Sequence, residues 1–170
     1  SLLNFPDFRA HEKAFQLLTQ VAGRAGRRQE QGKVLIQAFQ PEHQILQNVT
    51  TYSYAPTMKD ILYERKEFLY PPFARLIKLR FKHKNKERLD KTAEQLVTLL
   101  KASFEARCLL GPEAPSIGRI NNVYISDVMI KIRPTQSPQK VKELIQAKID
   151  QLHTIAAFRS VRIDIDVDPA

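Results

Sequence analysis

The stretch from Gln20 to Arg27 carries the residue types and spacing that best suggest a chemical site. It reads Gln-Val-Ala-Gly-Arg-Ala-Gly-Arg and fits the pattern Q-x-x-G-R-x-G-R. Two glycines let the backbone turn sharply after a helix, and two arginines can fork onto phosphate oxygens. An arginine in that position stabilises the charge that develops as a γ-phosphoryl group leaves. The alternative is a basic helix C-terminus, where the helix dipole favours arginine.

A second candidate is a run of alternating cations in the strand-like segment 74–84. Ile77, Leu79 and Phe81 face one side of this segment, and the other side carries Lys78, Arg80, Lys82 and Lys84. Cations aligned on a sheet face can contact the phosphates of a nucleic acid. The alternative is a solvated face that carboxylates on a neighbouring strand partly neutralise. A single-strand binder that stacks bases on exposed rings fits less well, because only Tyr124 is available for that role.

Three aspartates alternate along the last strand-like segment of the chain. Asp164, Asp166 and Asp168 are spaced two residues apart and therefore share one face. At this spacing on a strand they are too far apart to converge on one metal ion. We expect ion pairs with the basic strand and no metal site.

The composition favours a polyanionic partner. Among the 170 residues, 27 Lys and Arg stand against 18 Asp and Glu, for a formal net charge of +9. The stretch from Arg75 to Lys91 alone contains eight Lys or Arg residues and two acids. Positive charge clustered in this way points to nucleic acid.

Several classes of protein are excluded or disfavoured. No apolar run approaches the roughly 18 residues of a membrane span, so the sequence predicts no membrane-spanning helix. There is no charged-then-apolar leader, and the one cysteine, Cys108, lies in an apolar stretch and is expected to be a buried thiol. We therefore expect a protein of the reducing cytoplasm.

The first part of the chain predicts short elements. Apolar residues at helical spacing predict a helix over residues 8–21, ended by Gly23 and Gly26. The apolar run at residues 33–39 predicts a buried strand. Helices are expected within 41–54 and over 57–69. Tyr70-Pro71-Pro72-Phe73 stops the second of these, because a residue before proline disfavours the helical conformation.

From residue 74 onward the chain reads strand, helix, strand, strand, helix, strand. The strands are expected at 74–84, at 107–110, after the turn Asn121-Asn122, and at 161–168, and the helices at 87–104 and 139–152. This order predicts a ferredoxin-like βαββαβ domain, in which two helices cover one face of a four-stranded antiparallel sheet. Its last strand pairs with its first, which sets Lys78, Arg80 and Lys82 across from Asp164 and Asp166.

The motif and its flanks together resemble a known family. Pro6-Asp7-Phe8-Arg9-Ala10 leads into the motif and Pro41-Glu42-His43 follows it, and three more strings come later: Tyr70-Pro71-Pro72-Phe73, Leu110-Gly111-Pro112 and Asp166-Val167-Asp168-Pro169. With the Q-x-x-G-R-x-G-R pattern, they closely resemble the C-terminal part of the PriA family (primosomal protein N′). These are bacterial replication-restart DNA helicases of superfamily two. The resemblance covers essentially the whole chain.

The resemblance implies an α/β fold class and a division of labour along the chain. Residues 1–52 look like the end of the second, RecA-like helicase lobe, and residues 73–170 look like a C-terminal DNA-binding domain. The helix expected between them makes residues 53–72 a helical connector. The string from Gln20 to Arg27 then matches helicase motif VI, whose arginines reach the nucleotide phosphates across the cleft between lobes. The implied finger is Arg27, with Arg24 second. The implied nucleotide-binding residues are Gln20, Gly23 and Gly26.

The activity implied by the resemblance needs parts that this sequence lacks. Family members unwind DNA 3′ to 5′ with ATP and Mg²⁺, restart stalled forks and load the primosome. The 170 residues contain no G-x-x-x-x-G-K-[ST] loop and no acidic Walker B pair before the motif. The family's zinc element has no counterpart either, because one Cys and four scattered His cannot form a zinc site. We expect a fragment without ATPase activity of its own.

The resemblance also implies partners: forked and single-stranded DNA, single-stranded-DNA-binding protein and primosome proteins, in the bacterial cytoplasm at the nucleoid and with no membrane. Lys140 and Lys142, at the start of the last helix, are candidates for binding the acidic tail of single-stranded-DNA-binding protein. An ordinary exposed helix start is the alternative for them. A different class of function is a stand-alone protein-interaction module whose charge is only solvated. The complete motif VI favours the helicase fragment over it.

Overall fold

The chain divides into two compact units, Ser1–Glu67 (unit 1) and Phe68–Ala170 (unit 2). The computed structural model describes residues 7–25 and 33–169. Over these residues the protein is α/β, with five α-helices and a five-stranded antiparallel sheet.

Unit 1 is helical over its described residues, and its helices are α1 (Ala10–Ala25), α2 (Gln44–Thr50) and α3 (Tyr54–Glu67). Four of its buried side chains pack into one cluster: Ala14, Phe15, Ile45 and Val49. Arg65 of α3 reaches Glu12 of α1 at 2.5 Å. The predicted helices within 41–54 and over 57–69 are confirmed as α2 and α3, the latter beginning at Tyr54 and ending at Glu67.

Two predictions for unit 1 are wrong. Helix α1 continues through Gly23 to Ala25, because a glycine inside a helix costs only about 1 kcal/mol and does not by itself end it. Residues 33–39 form no strand, and Leu35 and Phe39 are fully exposed. This mostly apolar run carries no clear periodic signal. A buried strand also needs neighbouring strands, which the described part of unit 1 does not provide. Gly26 lies outside the described residues.

Unit 2 alternates strands and helices: β1 (Arg75–His83), α4 (Lys86–Lys101), β2 (Leu109–Glu113), β3 (Arg119–Ile120), β4 (Val123–Ile132), α5 (Pro138–His153) and β5 (Arg162–Val167). The sheet order is β2-β4-β1-β5, and β3 pairs with β4. As predicted, the last strand pairs with the first, with Lys78 opposite Asp166 and Arg80 opposite Asp164.

The sheet has one more strand than the four predicted. β3 contains two residues and joins β4 through Asn121 and Asn122, whose φ angles are +48° and +62°. Asparagine tolerates this left-handed conformation better than most residues, so the pair makes a tight hairpin turn. A two-residue strand is too short to give a periodic signal in sequence.

The core of unit 2 lies between the sheet and helices α4 and α5. Ile77, Leu79 and Phe81 of β1 are fully buried there, together with Leu96 of α4 and Leu152 of α5. Each such side chain contributes about 1.5–3 kcal/mol of hydrophobic stabilisation. The opposite face of the sheet, which carries Lys78, Arg80 and Lys82, is called the open face below.

Candidate functional site

The motif residues that the structure describes lie at the end of α1. Gln20, Gly23 and Arg24 are all exposed there, and Arg24 occupies the last turn, where the helix dipole favours a cation. A Cβ atom built on Gly23 would meet no atom within 4 Å, so no described packing requires glycine at this position. Arg27 lies outside the described residues. Its finger role stays a prediction.

The open face pairs its lysines with aspartates of β5. Lys78 Nζ lies 3.6 Å from Asp166 Oδ2, and Lys82 Nζ lies 2.8 Å from Asp164 Oδ2. These contacts confirm the predicted cross-strand ion pairs. They follow from the antiparallel register, which places opposite charges side by side on one face.

Arg80 takes a different partner from the one expected. Its guanidinium forks onto Asp127 of β4, with Nε to Oδ1 at 2.8 Å and Nη2 to Oδ2 at 2.7 Å. The hydrogen bond with Asp127 raises the pKa of Arg80, against the opposing effect of burial. Asp127 could not be predicted as this partner from sequence, because only the register of β1 against β4 sets it opposite Arg80.

The open face is therefore close to neutral rather than strongly basic. The hydrogen bond from Lys82, joined by one from Arg162, holds the pKa of Asp164 below its usual range. The hydrogen bond from Arg75 does the same for the pKa of Asp168. The three aspartates of the β5 segment thus serve separate cations. Within residues 7–25 and 33–169, no group of three or more His, Cys, Asp or Glu is placed to hold a metal ion.

The remaining candidates of unit 2 are scattered. Lys84 is exposed just beyond β1, and Lys140 and Lys142 are exposed in the first turn of α5. Tyr124, the one ring considered for base stacking, packs against the core. The thiol of Cys108 is buried, as predicted.

Lys131 is a polar residue whose burial was not predicted from sequence. Strand alternation predicts it on the outward face, yet it is only 3% exposed. Its Nζ donates to the carbonyl oxygen of Phe68 at 2.5 Å and lies 3.7 Å from the centroid of the Tyr70 ring. Burial lowers the pKa of this lysine. The nearby Tyr-Pro-Pro-Phe string is the only sequence signal that something covers this part of the sheet.

Comparison with known proteins gives a consistent answer for the class of protein. Residues 66–170 match the family model described as the primosomal protein N C-terminal domain. The chain is 37% identical over 170 residues to the replication restart protein PriA of Synechocystis sp., covering 99% of this chain and 20% of that protein. It is 37% identical over 172 residues to the PriA of Bacillus subtilis, covering 98% and 20%. For Chlamydia trachomatis PriA the identity is 32% over 170 residues, covering 98% and 22%.

The chain is thus related to replication-restart proteins. Its matched domain is an antiparallel sheet that is covered by two helices and carries many cations at its surface. The chain belongs to the primosomal protein N C-terminal domain family. It spans about a fifth of the length of the curated relatives it matches. Among the described helices, none is long and apolar enough to cross a membrane.

Proposed function

We propose that this chain is the C-terminal part of an ATP-dependent 3′–5′ DNA helicase that restarts stalled replication forks and loads the primosome. The observation that carries the proposal is that the similarity to proteins named replication restart protein PriA extends over 98–99% of the chain. It therefore includes unit 1 and the Q-x-x-G-R-x-G-R string as well as the matched domain.

Structural features of the two units support the assignment of unit 1 to a RecA-like lobe and of unit 2 to a ferredoxin-like domain. The exposed Leu35 and Phe39 suit a unit 1 that belongs to a larger RecA-like lobe, where neighbouring strands would bury them. In unit 2, the order β2-β4-β1-β5 with both helices in one core suits a ferredoxin-like domain to which the β3 hairpin has been added.

In the proposed mechanism, unit 1 supplies arginines and the rest of the parent protein supplies the other parts. Arg27, with Arg24 beside it, would hold the charge that develops on the transferred γ-phosphoryl group. The sequence has no Walker A loop, and its described residues hold no metal-binding group. ATP, Mg²⁺ and the zinc element are therefore assigned to other segments of the parent. When bound, Mg²⁺ neutralises the phosphate charge in such sites.

The finger assignment is tested in the parent protein that contains both helicase lobes. Arg27→Ala is expected to lower the DNA-stimulated kcat for ATP by roughly 10³-fold, the scale on which finger arginines act, and Arg24→Ala to lower it less. Lys59→Ala, which removes an exposed cation of α3, is the matched control and should leave kcat unchanged. Unimpaired ATPase activity of Arg27→Ala, with DNA binding intact, would refute the finger role.

Further proposed partners follow from the same assignment. They are forked and single-stranded DNA, primosome proteins, and single-stranded-DNA-binding protein through Lys140 and Lys142, at the nucleoid in the bacterial cytoplasm. The near-neutral open face is the one observation that favours a protein-interaction role for part of unit 2.

A further inference from the structure

Four exposed cations of unit 2 that have no carboxylate partner in the part of the chain that the structure describes lie towards one end of the sheet. There β1 ends at His83, opposite Tyr124 near the start of β4, and Arg119 of β3 lies opposite Tyr124 in turn. We call the sheet end the surface formed by His83, Lys84, Arg88, Arg119, Arg159 and Ser160. These residues come from four separate segments that the fold brings to one edge.

A hydroxyl lies at the centre of this surface. Ser160 Oγ accepts a hydrogen bond from Arg88 Nη1 at 3.2 Å and lies 3.3 Å from His83 Nε2. A guanidinium has five N–H donors, and Ser160 occupies one of those of Arg88. His83 Nδ1 accepts a hydrogen bond from the backbone N–H of Asn85 at 3.0 Å, so Nε2 carries the ring hydrogen and donates to Ser160. The remaining donors of Arg88 and the hydroxyl hydrogen of Ser160 are therefore available to the oxygens of one phosphate group.

Arg119 stands beside this group in a fixed orientation. Its Nη2 donates to Asn122 Oδ1 at 2.9 Å, and its guanidinium lies 4.8 Å from the centroid of the Tyr124 ring. The ring and Asn122 hold the guanidinium in place, and its remaining N–H donors can bind phosphate oxygens.

The carboxylates near the sheet end are occupied by other cations. Asp90 pairs with Lys86 at 2.8 Å, Glu87 with Lys91 at 2.6 Å, and Asp164 with Lys82 and Arg162. Among the described residues, none of the four exposed cations of the sheet end has a carboxylate within ion-pair distance: Lys84, Arg88, Arg119 and Arg159. On the open face the reverse holds, since Lys78, Arg80 and Lys82 each have one.

We propose that the sheet end is the DNA contact of unit 2. One backbone phosphate binds at Ser160 between Arg88 and His83, and Lys84, Arg119 and Arg159 contact neighbouring phosphates. This inference rests on the proposed DNA-binding function and places the contact at residues other than the basic open face. Backbone phosphate is the expected ligand because the surface offers charge and hydrogen-bond donors with no exposed stacking ring.

The test is fluorescence anisotropy of the 170-residue chain with a labelled forked DNA over a salt series. The triple variant Arg88→Gln, Arg119→Gln, Arg159→Gln should bind roughly tenfold to a hundredfold more weakly, with a salt slope smaller by about three, one for each lost phosphate contact. The control removes the same charge elsewhere in unit 2, through Lys101→Gln, Arg107→Gln and Lys148→Gln, and should change binding much less.

Ser160→Ala tests the site without changing charge. Loss of one hydrogen-bonding hydroxyl should weaken binding about threefold and leave the salt slope unchanged. Thermal melting would reveal a triple variant that does not fold. In that case Ser160→Ala and Arg159→Gln, each made alone, still test whether the sheet end binds DNA.

The outcomes separate the inference from the proposal beneath it. If the wild-type chain binds no DNA at low salt, the DNA-binding role of unit 2 and the site both fail. If the wild type binds, but the sheet-end and control variants weaken equally, only the site is overturned. A larger loss in Lys78→Gln, Lys82→Gln than in the sheet-end variant would return the contact to the open face.

Discussion

Lys131 carries an ammonium group into the interior of unit 2, and among the described residues it has no carboxylate to balance it. Its ammonium group donates a hydrogen bond to the Phe68 carbonyl oxygen and lies against the Tyr70 ring. Burial disfavours the charged form, which is why the pKa of this lysine is lowered. Lys131 therefore holds the segment that contains Phe68 and Tyr70 against the sheet. The free-energy cost of burying its charge depends on pH.

We expect the wild type to gain stability relative to Lys131→Met as the pH rises from neutral towards about 10.4, the ordinary pKa of lysine in an unfolded chain. In that interval the unfolded state keeps a proton that the folded state has begun to lose, so the free energy of unfolding increases with pH. Urea unfolding at several pH values measures the difference. Both proteins carry Tyr70→Phe, so that ionisation of the phenol does not contribute. A difference that stays constant with pH would contradict the expectation.

At the scale of elements, strand β2 depends on the backbone at Gly111. Its φ of +95° is one that L side chains rarely adopt, and a Cβ atom there would lie 2.6 Å from the carbonyl oxygen of Asp127. The pairing of β2 with β4 changes register between Leu110 and Glu113, on either side of this glycine. Gly111 therefore permits the irregularity that lets β2 follow β4 past Asp127.

Gly111→Ala is expected to destabilise unit 2 by about 2 kcal/mol or more, from the strained φ angle and the backbone clash together. Gly118→Ala is the matched control. Its added Cβ would meet the Ala114 Cβ at 3.4 Å, an ordinary contact, and it should cost less than about 1 kcal/mol. Urea unfolding of the two variants gives both values. Equal losses would show that backbone conformation at Gly111 is not what the position requires.

Helices and strands whose apolar residues recur with a clear period could be predicted from sequence. Contacts that depend on strand register, or on an irregular segment that covers the sheet, could not. The stripes of α4 and α5 and the alternation of β1 each have one buried and one solvated face, so the pattern alone locates them. The run 33–39 is mostly apolar, with Lys33 and Gln37 as its polar residues, and has no clear period. Asp127 became visible as a partner of Arg80 only through the pairing of β1 with β4. Lys131 is covered by Phe68 and Tyr70, an irregular segment that no periodicity describes.

At the scale of the whole molecule, the two units differ in how much core they possess. Unit 2 has a continuous cluster of buried side chains drawn from both helices and from the strands of the sheet. Unit 1 has four buried residues in its cluster, while Leu35 and Phe39 are fully exposed. A unit with a larger buried apolar area is expected to be the more stable one.

Residues 68–170 are therefore expected to fold without unit 1 and to unfold in one cooperative transition. Its midpoint should lie within a few degrees of the main transition of the 170-residue chain, since the core of unit 2 is retained. Thermal unfolding followed by circular dichroism compares the two proteins. A shortened chain that lacks a cooperative transition would show that unit 2 needs residues 1–67.

The contacts of Tyr70 with Lys131 and of Tyr124 with Arg119 also give the molecule an optical property. The sequence has five tyrosines and no tryptophan, so its near-ultraviolet emission comes from tyrosine alone. Tyr52, Tyr54 and Tyr63 of unit 1 are largely exposed, whereas Tyr70 lies against Lys131 and Tyr124 against Arg119. With Tyr52, Tyr54 and Tyr63 changed to phenylalanine, the intrinsic fluorescence would come from one ring at the start of unit 2 and one beside the sheet end. A structural change or binding at either place could then be followed by tyrosine fluorescence, without an attached dye.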